Sequence, residues 1–69
     1  MRRMLPADVR RARWIGRRIK EARHAGNRDK ELRYRKRAEA MIEQFGPDAK
    51  REIGHGRRDQ LNQLRSKRG

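Results

Sequence analysis

Two short segments of this chain each combine a residue that ends a helix with residues that begin another. Gly26 tolerates the left-handed conformation that follows a helix, and Asn27 is a good N-terminal cap for the next one. Gly46 can end a helix in the same way, while Pro47 and Asp48 suit a first helical turn. In a chain of 69 residues, these two boundaries predict an all-α fold of three or four helices.

Apolar residues between these boundaries recur at steps of three and four, the spacing of an amphipathic helix. The pattern predicts helices over approximately 6–25, 28–45, 47–53 and 58–67, with loose ends at 1–4 and 66–69. The expected architecture is a single small domain over 1–69, an antiparallel helical hairpin followed by a C-terminal helical segment. Its predicted core consists of Val9, Ile15, Ile19, Ala38, Met41, Phe45, Ile53 and Leu61.

The C-terminal segment is interrupted by Gly54-His55-Gly56. A glycine inside a helix costs about 1 kcal/mol relative to alanine, so two of them close together favour a break between helices. A continuous helix is the alternative, because the apolar spacing is kept across the glycines.

The charge balance predicts the kind of partner. The chain has 22 Lys and Arg, of which 17 are Arg, against nine Asp and Glu, a formal net charge of +13. Residues 1–25 hold nine of the cations and two of the acids, a net +7. Such an excess opposes compaction and favours a polyanionic partner.

A domain of this size buries only about 60% of the surface that its unfolded chain exposes, which makes its stability marginal. The chain has no cysteine, so neither a disulfide nor a thiolate metal site can compensate for the small core.

Residues suited to catalysis are scarce. Ser66 is the one hydroxyl nucleophile besides Tyr34, and there is no Thr or Cys. His24 and His55 are interpreted as loop histidines at helix ends. His55 and Asp59 are four residues apart, but two ligands do not make a metal site. The glycines lack the Lys-Ser/Thr of a phosphate-binding loop. We therefore expect no enzyme activity, cofactor, metal or small-molecule substrate.

The single tryptophan lies among cations rather than among apolar residues. Within the segment RRARWIGRRIK, Trp14 projects roughly 150° from the centre of the apolar stripe of its helix. One interpretation is a partly exposed aromatic platform, on which a base stacks while arginines bind phosphate. The alternative is that Arg side chains or a second helix cover the indole.

The C-terminal segment also allows a helix–turn–helix interpretation. Its last helix is rich in Arg, Gln and Asn, which pair with base edges in a major groove. Against this, His55 occupies a position that should be apolar. The alternative is a polar helix packed through Leu61 and Leu64.

The favoured function is binding of nucleic acid, with RNA slightly preferred because stacking and Arg-rich helices suit irregular RNA. The first helix is expected to dominate. The alternative is a protein-binding modulator, such as a phage or plasmid accessory factor, that docks basic helices on an acidic surface of the transcription machinery or another large complex. The candidate binding residues are Arg10, Arg11, Arg13, Trp14, Arg17, Arg18, Arg57, Arg58 and Arg65.

Membrane association is disfavoured by two features. No apolar run approaches the roughly 18 residues of a membrane span. For an amphipathic helix on an anionic membrane, Asp8 and Arg23 lie within or beside the apolar stripe. The basic N-terminus lacks the apolar region of a secretory signal, so the expected location is cytoplasmic, with association with the nucleoid or a ribonucleoprotein as a possibility.

Overall fold

Three helices make up nearly all of residues 2–66, the part of the chain that the computed structural model describes. Helix α1 covers Pro6–His24, α2 covers Arg28–Phe45 and α3 covers Pro47–Ser66. The all-α prediction is confirmed, and the number of helices is three. Helix α1 packs against both other helices and makes its most extensive contact with α3.

The helix ends are fixed by the residues expected to fix them. The Leu5 N–H donates to the Asp8 carboxylate at 3.0 Å before the first turn of α1. The Asn27 side-chain oxygen accepts from the Lys30 N–H at 3.2 Å, capping α2. Gly26 and Gly46 have φ values of 70° and 76°, which other residues rarely adopt. Both interhelical turns therefore follow from local sequence.

The core lies where the three apolar stripes meet. Six of the eight predicted core residues are buried, but Val9 and Leu61 are only half-buried. Both lie toward the ends of their helices, where fewer side chains cover them. Three alanines complete the buried set and allow the helices to approach closely. The buried apolar residues are Ala12, Ile15, Ile19, Ala22, Ala38, Met41, Phe45, Ala49 and Ile53.

The predicted break in the C-terminal segment is wrong, since α3 continues through both glycines. Gly56 is buried, and a Cβ there would collide with the Arg13 carbonyl oxygen on α1. Gly16 of α1 faces the Ile53 carbonyl oxygen in the same way. Gly16 and Gly56 let the backbones of α1 and α3 approach closely, and this contact compensates for the low helix propensity of glycine. His55 consequently lies inside a helix rather than in a loop, and the helix–turn–helix interpretation fails because there is no turn.

Two of the N-terminal residues contact the helices. The Arg2 N–H donates to the Gln44 carbonyl oxygen at 3.1 Å, near the end of α2. Met4 is half-buried and packs against the core. Loose ends at 1–4 remain an expectation, to which the structure adds these two contacts of Arg2 and Met4. At the other end, Ser66 is the last residue of α3. Met1 and residues 67–69, also expected to be loose, lie outside the described residues.

Candidate nucleic-acid interface

Trp14 is held in place by α2 but remains partly open to solvent. Its side of α1 faces Tyr34, and the two rings meet edge to face with centroids 5.6 Å apart and an interplanar angle of 87°. The Arg18 Cζ lies 5.4 Å from the indole centroid, within cation–π range. The residue is nevertheless 39% exposed. The expected partial exposure is thus found, together with partial cover by a second helix and an arginine.

A groove of about 710 Å³ runs beside Trp14, between α1 and α2. Its lining combines cationic side chains from both helices with the partly exposed Trp14, the exposed Ala40 and two buried core residues. The lining residues are Arg10, Arg11, Trp14, Ile15, Arg37, Ala40 and Met41. The groove can therefore accommodate a flat or apolar group and surround it with positive charge.

The arginines of this groove are not neutralised by carboxylates. Within residues 2–66, four ion pairs join a basic and an acidic side chain, and none of the four involves Arg10, Arg11 or Arg37. No acidic residue of that part of the chain lines the groove. The ion pairs are Arg13–Glu52, Arg18–Glu21, Arg35–Glu31 and Arg51–Asp48. These three arginine charges are therefore available to an anionic ligand.

The structure brings together some of the arginines predicted on α1 and separates others. Arg10 and Arg11 line the groove with Trp14. Arg13 instead faces α3, where its Nε donates to the Glu52 carboxylate at 2.8 Å. Arg17 is exposed on α1 and does not line this groove.

Sequence reasoning missed Arg37, which contributes the α2 side of the groove. Its guanidinium lies 6.0 Å from the Tyr34 ring centroid, one helical turn away on the same helix. A cation three residues from the chain's one tyrosine was a visible signal. Its relation to Trp14, however, depends on how α1 and α2 are aligned.

The predicted cations of α3 form a separate basic surface with the end of α1. Two adjoining clefts, of about 370 and 220 Å³, share Lys20 and Leu61 in their linings. Arg65 lines the larger cleft, while Arg57 and Arg58 line the smaller one. Most of the predicted binding residues thus lie at one of two separate surfaces, while Arg13 and Arg17 line neither.

The structure also bears on metal binding and on membrane insertion. Across residues 2–66, no three His, Asp or Glu side chains are grouped so that they could hold a metal ion. No helix in this range has the length and apolar character needed to cross a membrane. Comparison of the chain with protein-family models, curated proteins and solved structures finds no match.

Proposed function

We propose that this protein binds single-stranded nucleic acid, RNA in preference to DNA, in the groove between α1 and α2. The observation that supports this most directly is the surrounding of a partly exposed indole by three arginines without carboxylate partners. This combination matches the two parts of a nucleotide, a flat base and a charged phosphate.

The arginines would bind the backbone and the aromatic ring would bind the base. Arg10, Arg11 and Arg37 have planar guanidinium groups, which match phosphate oxygens in pairs. Stacking of a base on an aromatic side chain contributes about 1–3 kcal/mol and tolerates any sequence. Because Tyr34 already orients the indole edge to face, little of this energy is lost in ordering Trp14.

An unpaired strand suits this groove better than a duplex. Among the described residues its lining has no Asn, Gln or acidic side chain, so its direct contacts with base edges are limited to those of arginine with guanine. A base can stack on Trp14 only if it is free of its own neighbours, as in RNA loops and single strands. The continuity of α3 also removes the turn that a helix–turn–helix reader of the major groove would require.

A second candidate is docking on an acidic protein surface, as a modulator of a larger complex. The exposed apolar side chains of the groove, Trp14 and Ala40, favour this candidate. They could receive an apolar side chain of an acidic segment whose carboxylates pair with the surrounding arginines. Tight interfaces commonly centre on Trp and Arg anchors, so Trp14 would be important in both cases.

The test is fluorescence anisotropy with labelled single-stranded RNA, single-stranded DNA and duplex DNA of matched sequence, each at several salt concentrations. The groove variant carries Arg10→Gln, Arg11→Gln and Arg37→Gln. The matched control carries Arg28→Gln, Lys36→Gln and Arg51→Gln, which remove the same charge from exposed positions outside the groove.

Removing one phosphate interaction with a single strand should lower the slope of log K against log salt by about 0.7. We expect the slope to fall by about two units in the groove variant and by much less in the control. Equal decreases in the two triple variants would show that binding follows net charge alone. Wild-type binding that disappears near physiological salt for all three polymers would favour the acidic protein partner.

A further inference from the structure

The basic surface at the opposite side of α1 has no role in the groove just described. We define the α3 basic face as Lys20 and Arg23 of α1 with Arg57, Arg58 and Arg65 of α3. In the described chain, none of these five cations is in an ion pair. They surround the half-buried Leu61 and Leu64 in the two adjoining clefts.

This face and the Trp14 groove point in different directions. At about 100° per residue, Lys20 and Arg23 project roughly 120° and 180° away from Trp14 around α1. They also lie roughly 9–14 Å further along its axis. A ligand in the groove therefore leaves the α3 basic face exposed.

A carboxylate interrupts the positive surface between the two faces. Glu52 neutralises Arg13 where α1 meets α3. Of the cations on the outer surface of α1 in this region, Arg17 has no ion pair in the described structure. One interposed cation does not make a continuous track for a single phosphate backbone.

We propose that the α3 basic face is a second, independent binding site for the phosphate backbone of a nucleic-acid strand, so that one molecule of the protein holds two strands together. This inference rests on the proposed function of the groove. Among the described residues, the clefts lining the second site contain no Trp, Tyr or Phe, and His24 is the one ring in their lining. Binding there depends mainly on phosphate contacts of the five cations, and it is therefore more sensitive to salt than binding beside Trp14.

The first test counts strands by calorimetric titration at low salt. The ligand is a single-stranded RNA of about six nucleotides, near the lower end of known single-strand site sizes. Wild type should saturate with two strands. The α3 variant, which carries Arg57→Gln, Arg58→Gln and Arg65→Gln, should bind one strand. Because a base still stacks on Trp14, this strand should still change the Trp14 fluorescence. The Arg28, Lys36 and Arg51 triple variant should still bind two.

The second test measures bridging directly. RNA fixed to a surface should capture a second, fluorescent RNA through the wild type and the control variant, but not through the α3 variant. Circular dichroism checks that the α3 variant is folded. The pair Lys20→Gln and Arg23→Gln removes charge from the same face on another helix, and it should abolish bridging independently.

The outcomes separate the two proposals. The second site would be overturned if wild type saturated at any number of strands other than two. It would also be overturned if the α3 variant and the variant with Lys20→Gln and Arg23→Gln still bridged two RNA molecules. If one strand binds with a change in Trp14 fluorescence, the groove proposal stands and only the second site is wrong. Failure of wild type to bind any RNA would overturn the proposed function itself.

Discussion

Two glycines in α3, separated by a single residue, should respond differently to substitution by alanine. A Cβ at Gly54 would have no heavy atom within 4 Å, so Gly54→Ala meets open space. A Cβ at Gly56 would lie 2.7 Å from the Arg13 carbonyl carbon and 2.8 Å from its Cα, as well as colliding with the carbonyl oxygen. These are backbone atoms, which cannot move aside as the end of a side chain can.

The magnitude follows from two opposing effects. Either alanine gains about 1 kcal/mol of helix propensity over glycine. Gly56→Ala must in addition separate α1 from α3, and such overpacking costs about 1–3 kcal/mol or more. Gly54→Ala should therefore stabilise the protein by about 1 kcal/mol and raise its Tm by about 4–8 °C. Gly56→Ala should be less stable than Gly54→Ala by the whole overpacking cost.

The assay is thermal and urea unfolding followed by far-ultraviolet circular dichroism, with the two variants measured side by side. Because both substitutions are Gly→Ala in one helix, the propensity gain cancels in the comparison. Gly16→Ala provides a second clash from the α1 side, against the Ile53 backbone, and should resemble Gly56→Ala. Equal stability of the Gly54 and Gly56 variants would refute the close backbone contact between α1 and α3.

Two further predictions concern the aromatic residues. Phe45→Ala should destabilise the protein by about 3–5 kcal/mol, enough to unfold a small domain, because Phe45 is buried where α2 ends; an unchanged melting curve would remove it from the core. Trp14→Ala should weaken RNA binding by about 1–3 kcal/mol, measured by anisotropy. Because Trp14 is 39% exposed, the same change should lower stability by less than the about 3–5 kcal/mol of a buried aromatic residue, and a loss of that size would identify a core residue instead.

The local features of the fold could be predicted from sequence, whereas the contact between α1 and α3 could not. Gly26, Asn27 and Gly46 act through their own backbone or the next turn, so their roles are visible in the sequence. The propensity cost of Gly56 is also local. Its benefit comes from Arg13, far away in the chain, and depends on helix alignment. Propensity alone therefore predicted a break where the structure has a continuous helix.

The candidate site shows the same division. The angular position of Trp14 around α1 predicted that it would be partly exposed among arginines, because this angle depends only on spacing within one helix. It did not show that Arg13 would pair with Glu52, since that carboxylate is on another helix. Arg37 was missed for the same reason, because it reaches the groove from α2.

The contact between α1 and α3 has a genetic consequence. In an ordinary core, a larger side chain can be accommodated by a smaller one opposite, so second-site suppressors are found among the facing residues. Opposite Gly16 and Gly56 lie main-chain carbonyl oxygens of Ile53 and Arg13. Every amino acid has this atom, so no substitution at 53 or 13 removes it. A selection for suppressors of Gly56→Ala should therefore recover glycine at 56 or stabilising changes elsewhere, and none that act by making the facing residue smaller.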